Sequence, residues 1–414
     1  PADSQTVIEM MEGNYLLGAR LIDTGGASPF GVDIEPDAWF DELHGFGWLR
    51  HFAPLRDTGQ RRFARTLVMD WIGRFGRFDR DAWSVFATAR RVLNWLKNLD
   101  LLLEDANPEQ SQSILRALSV QIQSLKLRDG LAAEPLDGLM AAIALTGAAL
   151  SLREEPRDLA ALVSRLETAL GQQISADGLH LSRCPLIQVQ ILAELIPVSQ
   201  LLAQRRPDLA RQIGLVRETM QRAFDMLVLG TREPVYMNGS GQIAVDVVLA
   251  ISAQSVGRAA PSGQVGGYGV LTQGVGRLVA DSGYVPPLIH AGRAHAGALS
   301  FEFSCGGTLV AGSCGPAPSL RALFPDLPER GATCATAGVM GPVVAAIGAL
   351  QAQMALSVLL GLDPSPLGRL ISLDAAQWRT GGFRFDNAPE PATPLPFIAP
   401  SQPSPDALLI DLRT

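Results

Sequence analysis

The amino-acid sequence predicts a mainly α-helical chain that turns to short β-strands in its last part and ends in a short α/β tail. Apolar residues recur at three- and four-residue spacing from about Thr58 to Ala253, which is the period of an amphipathic helix. After about Val256 glycines become frequent, and short β-rich runs alternate with turn residues. A third type of composition begins near Pro316 and ends in a proline-rich stretch.

The helical part is a series of apolar segments separated by breaks at proline and glycine. In RRVLNWLKNLDLLL the apolar positions at helical spacing are Val92, Leu93, Leu96, Leu99 and Leu103. Asn107-Pro108 opens the next helix, and similar segments follow near 136–152, 156–172, 186–204 and 207–229. Short polar turns between them are typical of antiparallel helical hairpins. Because no repeat of fixed period is visible, two architectures stay open, a helix bundle and a ring of hairpins called an α/α toroid.

The glycine-rich part that follows predicts an antiparallel sheet. In LSFEF, at 299–303, Leu299, Phe301 and Phe303 alternate with polar residues, which predicts a half-buried strand. The stretch spans about 60 residues, which is short for a complete β-sandwich.

The tail predicts a helix at 339–361, then the strands GRLISLD and FRF, and then a proline-rich linker. The run from Ala337 to Leu362 contains no charged residue and is long enough to cross a bilayer. Its glycines, proline and glutamines lower its hydropathy, and no basic cluster flanks it. We therefore expect a helix buried on a sheet and no transmembrane segment.

Composition excludes several classes of function. The formal net charge of −7 argues against non-specific binding to nucleic acid, so nucleic acid is not an expected partner. The four cysteines and five histidines form neither CxxC nor HExxH, so we expect buried reduced thiols, no metal and no cofactor. The chain begins at Pro1 without a leader and stops after DALLIDLRT. We expect both ends to be cut, which leaves the compartment open between periplasm and cytoplasm.

Three phrases carry a family resemblance: LHGFGWL at 43–49, the RxxNW of Arg91–Trp95, and HAGALSFEFSCG at 295–306. In these phrases, and in their order, the chain resembles the heparinase II/III family of polysaccharide lyases from about residue 39 to 314. The resemblance implies an α/α toroid over residues 1–255 and a partial antiparallel β-sandwich over 256–315. It also implies β-elimination on uronic-acid glycans, with an acidic polysaccharide as partner.

This chemistry requires a donor that neutralises the uronate carboxylate, a base for the C5 proton and an acid for the departing O4. By the resemblance, Asn94 and Arg91 of the RxxNW motif are substrate-binding residues, with Asn94 beside the carboxylate. His295 is a catalytic base or carboxylate neutraliser. Tyr236, in the loop VYMNGSG, is the catalytic acid or base, with Asn238 beside it as a further substrate-binding residue.

Each of these residues also has a structural interpretation. Asn94 and Trp95 can be ordinary helix packing, His295 a hydrogen bond at a strand start, and Tyr236 a turn aromatic; His44 is expected to be structural and His290 an exposed loop histidine. The chain also departs from the family pattern at Gly297, where many relatives carry an acidic residue. A non-catalytic glycan-binding protein of the same fold is therefore the alternative function.

The tail carries a second resemblance. The residues SLRALFPDLPERGATCATAGVMGPVVAAIGALQAQMALSVLLG, followed by GRLISLD, are similar to the C-terminal part of E1-like sulfur-carrier adenylating enzymes. This implies an adenylating-enzyme fragment over 316–385. It also implies a linker with the start of a rhodanese-like strand, DALLIDLR, over 386–414.

Adenylation itself is not predicted. The function that this second resemblance offers as an alternative is a remnant of a sulfur-carrier adenylyltransferase without a nucleotide site. GGYG and GVGRL lack the GxGxxG spacing, and Ser319 and Ala322 occupy the place of the family's zinc CxxC. We expect a gene fusion or an assembly join near 312–318, because two cut domains would leave strand edges and apolar surface exposed. The alternative is a functional fusion whose tail completes the sheet.

Overall fold

The computed structural model describes residues 2–18, 20–128, 130, 132, 134–241, 243–255, 262–291, 300–305, 308–309, 341–366, 369–374 and 377–384. The chain divides into two compact units, Pro1–Leu309 and Val310–Thr414.

A helix and a β-hairpin precede the main helices of the first unit. The helix α1 (Ser4–Met11) is capped by the Asp3 side chain, which accepts from the Gln5 amide. The strands β1 (Asn14–Leu17) and β2 (Arg20–Asp23) pair antiparallel. This hairpin departs from the purely helical prediction for residues 1–255, because four-residue strands are too short to show a readable alternation.

Eleven further helices follow within the described part of the first unit: α2 (Ala38–Gly45), α3 (Leu49–Phe52), α4 (Thr58–Phe75), α5 (Val85–Lys97), α6 (Leu99–Leu103), α7 (Pro108–Leu127), α8 (Pro135–Leu150), α9 (Leu159–Gln173), α10 (Pro185–Arg205), α11 (Pro207–Met226) and α12 (Val245–Ser252). The predicted helices are confirmed. Asn107 and Gln110 form a reciprocal capping box at the start of α7, which explains why that helix begins at Pro108.

The helices pack against one another in pairs. Helix α8 lies between α5 and α10, and α12 packs on α10, while α7, α9 and α11 pack against these helices and against their neighbours in chain order. A Cβ added at Gly147 of α8 would lie 3.1 Å from both Leu93 of α5 and Val198 of α10, so glycine permits this close approach. Of the two architectures left open, the chain adopts the α/α toroid.

A five-stranded antiparallel sheet follows, with strands paired in chain order. Its members are β3 (Gly263–Val265), β4 (Tyr268–Gln273), β5 (Gly276–Asp281), β6 (Phe301–Cys305) and β7 (Thr308–Leu309). Val265, Tyr268, Val270 and Val279 pack on residues after α11, among them Val235, so this face of the sheet is covered by the helical part. The second layer of a sandwich is not found among the described residues and stays a prediction.

The strand predicted in LSFEF is confirmed as β6, but its burial does not alternate as expected. Phe303 and Ser304 are both buried, at 4% and 0% exposure. The reason is a polar contact: the Ser304 hydroxyl accepts the Gly230 amide at 2.9 Å, so burial of this serine leaves no unpaired group. Leu299 lies outside the described residues.

The described part of the second unit contains α13 (Gly341–Leu359) and the antiparallel strands β8 (Arg369–Asp374) and β9 (Arg379–Arg384). The predicted helix and both predicted strands are confirmed. The expected burial of α13 on a sheet is not: its described side chains are exposed or half-buried. A two-stranded hairpin is too small to cover a helix of 19 residues.

Among the described residues, one helix is long and apolar enough to cross a bilayer by length and composition. It is α10, whose most apolar window is 61% buried inside the protein. Core helices of globular domains commonly have this composition.

Candidate functional site

The first four residues of the HGFGWL phrase, 44–47, form a tight turn that we call the HGFG corner, and it surrounds a buried aromatic cluster. Helix α2 ends at Gly45, and its C-cap Phe46 adopts a left-handed conformation (φ 58°) and packs its ring against Trp48, Trp71 and Trp95. The His44 ring stacks on Phe40, and its Nδ1 accepts the Trp71 indole N–H at 3.1 Å. These contacts match the structural role expected of His44.

The guanidinium of Arg91 lies beneath this corner and is fully buried. It donates to the carbonyls of His44 (2.8 Å) and Ala82 (3.0 Å) and to Gln121 Oε1 (2.6 Å). Its Cζ lies 4.1 Å from the ring centroid of Trp71. Because the guanidinium is fully buried and donates to these acceptors, Arg91 holds the His44 carbonyl of the corner in place. Its predicted role in substrate binding stays a prediction.

Asn94 lies one turn further along α5 and binds the same corner. Its Nδ2 donates to the Gly45 carbonyl at 2.8 Å, and the residue is 6% exposed. Arg90, Asn94 and Lys97 are separated by four and three residues, so they share one face of α5. Lys97 Nζ lies 2.7 Å from Oε2 of Glu194 on α10. The sequence analysis missed Arg90 and Lys97, although their spacing from the motif asparagine could have revealed them.

Asn238 belongs to a buried network that joins the sheet to the helical part. Its Nδ2 donates to the Tyr268 hydroxyl and, at 3.1 Å, to Asp281 Oδ2. Arg183, which precedes α10, pairs with Asp281 and donates to the Gly266 carbonyl at 2.7 Å. The Tyr268 hydroxyl donates in turn to the Arg183 carbonyl at 2.6 Å. Asn238 therefore contributes to the attachment of the sheet.

Tyr236, two residues earlier in the same loop, is 39% exposed. Its backbone N–H donates to Oε1 of Glu302 on β6 at 2.6 Å, while the buried Oε2 of Glu302 has no hydrogen-bond partner among the described residues. Burial and the nearby carboxylates of Glu233 and Glu302 raise the pKa of the Tyr236 phenol. The sequence analysis missed Glu302, although it is the acidic residue of the LSFEF strand.

The predicted site residues fall into two groups. Asn94 and Arg91 bind the HGFG corner, whereas Tyr236 and Asn238 bind the sheet. Among the described residues no hydrogen bond connects the two groups. His295 lies outside the described residues, so its role stays a prediction.

A pair of histidines joins the segment between α9 and α10 to the segment that follows β5. The His180 ring is buried, accepts the Ser182 amide through Nδ1, and makes an edge contact with the His290 ring at 5.3 Å. His290, expected to be an exposed loop residue, is half-buried, because its ring packs on His180. Within the described ranges no three His, Cys, Asp or Glu side chains are placed to hold a metal ion.

Acid is expected to destabilise the protein through His44 and His180. Burial lowers the pKa of each imidazole from 6.5 to about 3 in the folded protein. Below about pH 6.5 the unfolded chain protonates both rings while the folded protein keeps them neutral. The free energy of unfolding should therefore fall as the pH drops from 6.5 toward 3, as measured by urea denaturation. His180→Gln should flatten this dependence, and an unchanged slope would contradict the assignment.

Comparison with known proteins places these features in context. Residues 255–337 match the family description "Heparinase II/III-like, C-terminal", which reaches past the join expected near 312–318. Among solved structures, Heparinase III superposes with a TM-score of 0.55 at 14% identity, covering 69% of this chain and 52% of that one. At this identity the likeness shows the fold alone.

Two curated relatives cover different parts of the chain. FtsZ-localized protein C of Caulobacter vibrioides (strain NA1000 / CB15N) is 26% identical over 333 residues, which is 75% of this chain and 55% of that protein. The sulfur carrier protein ThiS adenylyltransferase of Escherichia coli (strain K12) is 44% identical over 66 residues, 16% of this chain and 26% of that protein. The chain spans about half the length of FtsZ-localized protein C and about a quarter of the adenylyltransferase.

Residues 255–337 are therefore heparinase II/III-like by the family description that they match, the chain shares the fold of Heparinase III over 69% of its length, and its tail is similar to sulfur-carrier adenylyltransferases.

Proposed function

We propose that this protein binds an acidic polysaccharide and cleaves it by β-elimination. The observation that carries the proposal is the Asn94 amide, which the Gly45 carbonyl holds at 2.8 Å on the polar face of α5. β-Elimination requires such an oriented donor, because the C5 proton becomes acidic only when the uronate carboxylate is neutralised. The heparinase fold and the matched family description support the same activity.

The reaction assigns one step to each remaining residue. His295 removes the C5 proton, the electron pair forms the C4–C5 double bond, and the C4–O4 bond breaks. Tyr236 delivers its phenolic proton to the departing O4. A phenol is protonated near neutral pH, as this role requires, and burial raises the pKa of Tyr236 further. Arg91 positions the corner that Asn94 binds, and Asn238 keeps the Tyr236 loop on the sheet.

The test is the release of unsaturated uronate by the full chain from a panel of uronic-acid glycans. Tyr236→Phe and His295→Ala should each lower kcat/KM by roughly 100- to 10,000-fold, the range typical of general acid–base groups. His44→Ala serves as the structural control, and its loss per folded molecule should be smaller. Equal losses in the three variants would reject the site assignment, and no product from any glycan would reject the lyase.

A second candidate is a non-catalytic glycan-binding protein on the same fold. The relative FtsZ-localized protein C favours it, because that name describes a location with FtsZ and no cleavage reaction. Gly297 favours it as well, since many members of the lyase family carry an acidic residue there. Calorimetric binding of a glycan without product, together with a fluorescent fusion that follows FtsZ in cells, would support this candidate over the lyase.

A further inference from the structure

The side chain of Arg90 runs along the HGFG corner and ends beside Asn94. A Cβ added at Gly45 would lie 3.7 Å from Arg90 Cβ, which places the start of the side chain there. A Cβ added at Gly47 would lie 3.4 Å from Arg90 Nη2 and 3.9 Å from Asn94 Nδ2. Apart from Gly47 and its two chain neighbours, these are the two atoms of the described residues within 4 Å of that point. The missing side chain of Gly47 therefore leaves a space onto which two nitrogen donors converge.

The charge in this space is not neutralised by the described part of the protein. Some arginines of the first unit pair with carboxylates, as Arg61 does with Glu104 and Arg206 with Asp208. Among the described residues no carboxylate and no hydrogen-bond acceptor contacts Arg90. Its Cζ lies 5.8 Å from the ring centroid of Phe86, a contact that orders a guanidinium without cancelling its charge. Gly47 and Arg90 are both partly exposed, so solvent reaches the space.

We infer that Arg90 and Asn94 form a binding site for the carboxylate of an acidic sugar, with Gly47 as its floor. A guanidinium matches the planar, two-oxygen geometry of a carboxylate, and the amide supplies a further donor. Arg91, the motif arginine, holds the backbone of the corner, so its neighbour Arg90 carries the charge that the ligand meets. This inference deepens the proposed function and rests on its glycan substrate, but it requires binding only and no cleavage.

The test compares an unsulfated glucuronate-containing oligosaccharide with its methyl ester, which has the same shape and no charge. Calorimetry on the full chain should show tighter binding of the acid. Arg90→Gln should weaken binding of the acid by roughly 10- to 100-fold, the usual worth of a charge-assisted hydrogen bond. It should leave the ester unaffected, so the variant no longer distinguishes the two ligands.

A second variant probes the space without altering charge. Gly47→Ala places a methyl group at the convergence point, and Gly47 lies outside the positive-φ glycines, so the backbone tolerates alanine there. This variant should also lose affinity for the acid. The matched controls are Arg116→Gln, an exposed arginine on α7, and Gly73→Ala, where no described atom outside the backbone of the same helix lies within 4 Å of the added Cβ. Both controls should bind like the parent chain.

The outcomes separate this inference from the lyase proposal. Loss of acid-over-ester discrimination in Arg90→Gln, without any unsaturated product from the parent, supports the carboxylate site and rejects the lyase. Product formation with discrimination unchanged in Arg90→Gln overturns the site and leaves the lyase standing. A parent chain that binds acid and ester equally, or binds neither, overturns the site as well.

Discussion

Arg91→Met is expected to lower the free energy of unfolding by about 3–5 kcal/mol. The substitution keeps an apolar stem of similar length but leaves three buried acceptors, the His44 and Ala82 carbonyls and Gln121 Oε1, without their donor. Each buried acceptor left unpaired costs about 1–3 kcal/mol, partly offset because a buried charge is removed as well.

Urea denaturation followed by tryptophan fluorescence measures this loss, since Trp71 and Trp83 lie next to the Arg91 guanidinium. The control is Arg116→Met, which removes an exposed arginine and should change stability by no more than about 0.5 kcal/mol. Equal stabilities of the two variants would show that the corner does not depend on Arg91. Because Arg91→Met is expected to be less stable, lyase or binding assays on this variant should be normalised to its folded fraction.

Asp281→Ala is expected to loosen the sheet from the helical part at a cost of about 3–5 kcal/mol. Asp281 is 3% exposed and accepts from Arg183, from Asn238 Nδ2 at 3.1 Å and from the Gly283 amide at 3.2 Å. Its removal leaves the Arg183 guanidinium as an uncompensated buried charge, which is the costly way to break a buried ion pair.

Hydrogen exchange should locate this effect, with faster exchange in β4 and β5 and little change in α5 or α8. Asp158→Ala is the matched control, because Asp158 forms an exposed pair with Lys126 at 3.1 Å and such pairs contribute about 0–1 kcal/mol. Uniformly faster exchange through both the helices and the sheet would mean that the network stabilises the whole unit. That result would contradict the assignment of this network to the attachment of the sheet to the helical part.

The sequence predicted the part of the candidate site around Asn94 more completely than the part around Tyr236. The RxxNW motif located Asn94 and Arg91 on α5, and in the structure both contact the HGFG corner. Which arginine is available to a ligand did not follow from the motif. Burial of Arg91 depends on the corner above it and on Gln121 of α7, 30 residues away in the chain.

The same limit explains the residues that sequence reasoning missed around Tyr236. Glu302 reaches the Tyr236 amide across 66 residues, and Arg183 reaches Asp281 across 98. A pairing at such separation leaves no mark on local periodicity, because the alternation of a strand reports only which face is apolar. Ser304 illustrates the point, since its burial follows from the Gly230 amide that it accepts.

The sequence by itself determined the class of the protein: the succession of helices from α4 onward, the strand in LSFEF, the helix and strands of the tail, and both family resemblances. These features arise from spacing and capping among residues close together in the chain, and such local interactions can be predicted from the order of the residues. Only the tertiary structure decided that Arg91 is buried while Arg90 is available, and that Asn238 belongs to the network that attaches the sheet to the helical part. The physical reason is that burial and charge pairing are properties of neighbours in space, which the fold brings together from distant parts of the chain.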